Sequence, residues 1–189
     1  MLCELPDHLV EMALFAVNTG CRDQGICQLR WDWEVAAPEL DTSVFIIPGS
    51  HVKNGDERLV VLNNAAKHVI SRRRDQHKAH VFDYEGRPLT HMLASACKKE
   101  RTAAVLSHVC VHDLKHTFGR CLRAAGVTFK DRQDLSGHRS GRITTHYSAA
   151  ELTKIIEAAE KISPRGDEKT RACDDPWISF RPITQTKES

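Results

Sequence analysis

Between Val111 and Ser148 the chain gathers four side chains with chemistry to offer: His112, Lys115, His138 and Tyr147. An ammonium group and imidazoles on one surface attract an anion, an imidazole accepts a proton near neutral pH, and a phenol that has given up its proton is a nucleophile. The spacing says how they are carried. Leu114, Phe118, Cys121, Leu122 and Ala125 fall at i, i+4, i+7, i+8 and i+11, which predicts a helix over 112–125 with one apolar face, stopped by Gly126. At 100° per residue His112, Lys115, His116, Gly119 and Arg123 share the opposite face. A short helix over 129–135 leads to Ser136-Gly137-His138, and Tyr147 follows nine residues after His138. Ser148-Ala149-Ala150-Glu151 then reads as a capping box opening a helix to about Ile162, with Leu152, Ile155, Ile156 and Ala159 as its stripe.

The elements that must position this segment lie upstream. Leu9, Val10, Ala13, Leu14 and Val17 predict a core helix over 6–19, with Gly20 as its stop and Thr19-Gly20-Cys21-Arg22 immediately after. A helical turn over Asp-Gln-Gly-Ile-Cys-Gln-Leu follows, and Trp31 and Trp33 read as packing residues of a strand or loop. The apolar runs 43–48 and 57–63 flank Asn54-Gly55, which predicts a β-hairpin with Lys53 in its turn region. Asn63 or Asn64 caps a helix extending to about His80, basic along Lys67, Arg72, Arg73, Arg74 and Lys78. A strand and turn over 81–88 and a helix over 90–99, with Met92, Leu93, Ala96 and Cys97 as core, complete the reading. Beyond Ser163 the apolar periodicity dissolves, which predicts a flexible tail over 164–189.

With 189 residues, of which 41% are apolar, one core is the expectation. No apolar run is long enough for a membrane span and no leader pattern opens the sequence, so a cytoplasmic location is expected. Seven cysteines, an odd number without a Cys-x-x-Cys pair, favour reduced thiols. The net charge of +2 hides an asymmetry: residues 1–60 hold four basic and ten acidic side chains, whereas residues 61–148 hold sixteen basic and seven acidic ones. A basic block of that size neutralises several phosphates; a solvated helix face around Arg72, Arg73 and Arg74 is the plainer explanation.

HDLKHTF, LSGH and ITTHYS together resemble the second half of the tyrosine recombinase (phage integrase) catalytic domain, with its His-x-x-Arg, Leu-x-Gly-His and tyrosine. Thr19-Gly20-Cys21-Arg22 is similar to that family's first box, and Lys53 with Arg58, Val60 and Leu62 fits its hairpin pattern Thr-Lys-x-x-x-x-Arg-x-Val-Pro-Leu. The resemblance covers residues 9–162. It implies a mainly α fold with a small antiparallel sheet (α+β), the catalytic domain over 1–163, truncated at its N-terminus. It further implies Tyr147 as nucleophile, Arg22, Lys115, His112 and His138 around the non-bridging oxygens, His112 also as proton acceptor, and Lys53 as the acid for the leaving 5′-oxygen. DNA contacts are expected at Arg72, Arg73, Arg74, Lys78, Arg139 and Arg142. No metal or other cofactor is required, and the implied partners are double-stranded DNA and further copies of the chain, four of them on two duplexes. Two positions depart from the family pattern: Lys115 stands where it has a second arginine, and Gly25 where it has a carboxylate.

Two other readings stand beside this one. His112 and His116 at i and i+4, with Asp113 between them, have the spacing of a helical zinc site in a hydrolase. Lys115 and Gly25 are also what a catalytically weakened, DNA-binding remnant of an integrase would carry.

Overall fold

The structure is a computed structural model that describes residues 7–92, 111–137 and 148–163. Helix α1 (Asp7–Thr19) and the short α2 (Asp23–Cys27) precede a three-stranded antiparallel sheet of β1 (Glu34–Ala37), β2 (Thr42–Ile47) and β3 (Arg58–Val61) in that spatial order. Then come α3 (Asn64–Arg73), a small hairpin of β4 (Asp83–Tyr84) and β5 (Arg87–Pro88), and three helices, α4 (Val111–Ala124), α5 (Phe129–Leu135) and α6 (Ala149–Glu160). This is the α+β arrangement expected from the sequence.

The sheet lies between two apolar layers, and the period of 2 along a strand explains how one segment serves both. Phe45, Ile47 and Val60 belong to a core with Met12, Phe15 and Ala16 of α1 and Val69 and Ile70 of α3. Their neighbours Val44, Leu59 and Val61 belong to a second core with Phe118 and Leu122 of α4, Leu135 of α5 and Ile155, Ala158 and Ala159 of α6. Burial on both faces is why β2 and β3 read as continuous apolar runs rather than alternating ones.

β2 and β3 pair antiparallel with Val44 opposite Val61 and Ile47 opposite Arg58, as the hairpin expectation required. Their connection is a long loop rather than a tight Asn-Gly turn. It contains a 3₁₀ turn at Gly49–His51 and folds so closely that a Cβ on Gly49 would stand 2.1 Å from the Gly55 carbonyl oxygen. The strand β1, which was not expected, pairs with β2 through Glu34 opposite Phe45.

Asn63 is the cap of α3: its side chain accepts from Ala66 N at 3.0 Å and donates to Asn18 Oδ1 at 2.9 Å, so one buried amide fixes α3 against α1. The helix ends at Arg73, short of the expected His80. Asp75 adopts a φ of 64°, and the following segment is drawn into pairing with the Leu29–Trp31 segment: Trp31 Nε1 donates to His77 O, Trp31 N to Ala79 O and Val81 N to Leu29 O. Long-range pairing thus outcompetes the helical pattern. The capping box at Ser148 and Glu151 is formed as expected. The helix expected over 90–99 lies outside the described residues from residue 93 onward, as does the tail at 164–189.

Candidate active site

Four of the six residues singled out for chemistry come together: Arg22, Lys53, His112 and Lys115 line one open cleft of about 320 Å³, with Gly25, His51, Arg58 and His91 around them. The other two, His138 and Tyr147, lie outside the described residues, as do Arg139 and Arg142.

Each of the four is placed by a local device. Gly20, at φ +62°, turns the chain out of α1 in a conformation glycine adopts without penalty, and a Cβ there would meet Phe118 Cδ1 at 2.4 Å. Thr19 Oγ1 donates to Phe15 O at 2.7 Å and accepts from Cys21 N at 3.3 Å, so the turn is tied before Arg22 begins α2 with extended backbone. Lys53 stands on the β2–β3 loop, which leans on the sheet layer through His51: its Nδ1 lies 3.1 Å from Gln28 Oε1 and its ring packs on Trp33. His112 is in the first turn of α4, exposed, with its ring edge-on to His116 at 4.5 Å between centroids. Among the described residues no third His, Cys, Asp or Glu completes a metal-binding group with that pair.

Lys115 departs from its expected surroundings. Helical geometry put it on the polar face, yet it is only 9% exposed. It lies 60° round the helix from His112 but only about 20° from Leu122, on the border of the apolar stripe. Burial is the first cause, and the Arg22 and Arg58 guanidinium groups the next, of a lowered ammonium pKa, at about 8 against an ordinary 10.5.

Arg58 is the residue of the site that sequence reasoning used only as a register mark. It is 4% exposed, and its guanidinium donates to Gly20 O at 2.7 Å, to Thr19 O at 3.4 Å and to Ser136 O at 3.4 Å. One side chain of β3 therefore joins the turn before Arg22 to the end of α5, two residues before His138. Gly137 packs so near that a Cβ there would lie 3.0 Å from Arg58 Nη1. The available signal was an arginine heading an otherwise apolar strand, where a buried charge needs several acceptors.

The arginine triplet does not form an open basic face. Arg72 pairs with Glu11 at 2.9 Å; Arg73, 6% exposed, pairs with Asp83 and donates to Val81 O; Arg74 pairs with Glu34 and stacks over Trp31 at 4.5 Å. Arg73 is thus a core-side structural residue and not the surface DNA contact expected of it. Among the described residues Arg22 and Lys53 enter no ion pair, whereas the arginines at the end of α3 do. Lys78 remains exposed.

The sequence pattern of the phage integrase family matches residues 4–153, most of the chain. The chain belongs to the phage integrase family. It is similar to a putative integrase/recombinase of Sinorhizobium fredii (27% identical, covering 79% of this chain and 62% of the relative). It is also similar to the integrase of Salmonella phage P22 (23%, covering 86% and 44%) and to tyrosine recombinase XerC of Pelobacter propionicus (26%, covering 83% and 57%). The chain thus spans roughly half of the length of these relatives. No solved structure matches it. Among the described residues no helix is long and apolar enough to cross a membrane.

Proposed function

We propose that this phage integrase family chain is the strand-cutting part of a site-specific DNA recombinase that works through a 3′-phosphotyrosyl intermediate. The observation that carries the reading is that Arg22, Lys53, His112 and Lys115, from three separated segments, line one cationic cleft. A phosphodiester in its five-coordinate state carries additional negative charge, and fixed cations at the cleft wall stabilise that state more than the ground state.

The Tyr147 oxygen attacks phosphorus and forms the new P–O bond while the P–O5′ bond breaks. The phenolic proton passes to His112, and Lys53 gives a proton to the departing 5′-oxygen. Arg22, Lys115 and His138 face the non-bridging oxygens. The ester linkage is conserved in the tyrosyl phosphate, so the reverse attack by a 5′-hydroxyl rejoins a strand without ATP. Double-stranded DNA is the substrate, with self-association on it, and the cytoplasm is the location that such a substrate implies.

The test is covalent trapping on a nicked duplex whose short leaving strand diffuses away. A protein–DNA adduct forms with the unaltered chain, and Tyr147→Phe, which removes only the attacking oxygen, binds the duplex equally but forms none. An adduct with Tyr147→Phe would mean another nucleophile. Binding without any adduct from the unaltered chain would favour the reading as a catalytically silent DNA-binding remnant, which Lys115 and Gly25 motivate.

A further inference from the structure

His91 lines the same cleft and has no assigned role. Its Nδ1 lies 2.9 Å from Asp23 Oδ2, and the other oxygen of that carboxylate accepts from Met92 N at 2.8 Å and from the Cys27 thiol at 3.6 Å. Met92 itself is buried in the first core at 4% exposure. The neighbouring Met92 is therefore held through its amide and its side chain, while the His91 imidazole stays 61% exposed. A ring held this way has its Nδ1 edge committed to a carboxylate and its Nε2 as the remaining polar edge.

Asp23 does not take over the work of the carboxylate that Gly25 lacks. Its oxygens go to the 91–92 segment and Cys27, and no pair with Arg22 is formed. It is nevertheless the one carboxylate among the residues lining the cleft, whose other charged or titratable members are Arg22, His51, Lys53, Arg58, His112 and Lys115. A bare carboxylate there would repel a phosphate, whereas a protonated imidazole on it cancels the charge and offers an N–H.

We propose that His91, oriented by Asp23, is a further backbone-phosphate contact of the cleft, binding DNA in its protonated form. This rests on the reading of the cleft as the DNA site.

The experiment is titration of a short DNA duplex of arbitrary sequence at graded salt, with the full chain. His91→Ala should bind several-fold more weakly than the unaltered chain, with a salt slope smaller by about one. Asp23→Asn in the His91→Ala background should restore only part of the affinity, since it removes the repulsion but not the lost contact. Unchanged binding by His91→Ala would overturn the inference, and so would full restoration in the double variant, which would make His91 a mask for Asp23 and nothing more. Arg22→Ala separates this from the wider reading: weakened binding there with His91→Ala unchanged defeats only the role of His91. Unchanged binding by both would defeat the cleft as a DNA site, and this inference with it.

Discussion

At the scale of the residue, the lysine at position 115 gives this site a property that an arginine would not. Its ammonium group, pushed down to about 8 by burial and by Arg22 and Arg58, is charged below that pH and neutral above it. Cleavage measured as kcat/KM should therefore fall above about pH 8, while Lys115→Arg, which stays protonated throughout, should carry activity to higher pH. A bound phosphate favours the charged form, so the profile of kcat should break at a higher pH than that of kcat/KM. Coincident profiles for the two proteins would remove Lys115 from the chemistry. The stability effect has the opposite sense: the unfolded chain holds this proton more tightly, so the buried ammonium destabilises the fold below about pH 8, and that cost fades as pH rises toward 10.5.

At the scale of the element, the cleft depends on how separate segments are held in register, and Arg58 is the main tie. It replaces the solvation of a buried guanidinium with carbonyls from the α1–α2 turn and from the end of α5. Arg58→Ala leaves those acceptors without their donor and should lower unfolding stability by roughly 2–4 kcal/mol in a denaturant titration, with Arg58→Lys recovering only part because one ammonium cannot span both segments. A loss below about 0.5 kcal/mol would show that the segments are held independently. Much of this element layer was legible in the sequence. The periodicity of Leu114, Phe118 and Leu122 placed α4, Gly20 and Gly126 placed helix stops, and Ser148 with Glu151 placed the start of α6. Less legible was everything set by long-range contact: the early end of α3, where the 77–81 segment pairs with residues 29–31; the extra strand β1; and the burial of Lys115, which the helical wheel puts on a border that packing alone resolves. His112 and Lys115 stood out as types at helical spacing, and Arg22 and Lys53 through the family resemblance; the contacts of Arg58 and His91 were not legible, because their partners are distant in the sequence.

At the scale of the whole molecule, the acidic first third and the basic middle are not two separate fields. Glu11 and Glu34 from the acidic part take up Arg72, Arg73 and Arg74, together with Asp83, so the linear charge asymmetry largely cancels along α3. Arg72→Ala should then change stability by less than about 1 kcal/mol and leave the salt dependence of DNA binding unaltered. Arg73→Ala, which leaves the partly buried Asp83 without its ion pair, should cost about 3 kcal/mol or more. A flattened salt slope in Arg72→Ala would return the DNA path to α3. What distinguishes the cleft is that, among the described residues, Arg22 and Lys53 enter no ion pair there, although the Asp23 carboxylate also lines it. The most direct measurement is the single-turnover rate of adduct formation on two nicked duplexes, one with an ordinary scissile phosphodiester and one with a neutral methylphosphonate there, for the unaltered chain and for Arg22→Ala. If Arg22 acts on the non-bridging oxygens, Arg22→Ala should lose on the order of 10²-fold on the phosphodiester and far less on the methylphosphonate, whose charge no longer needs a counterpart. An equal loss on both substrates would contradict the placement of the scissile phosphate in this cleft.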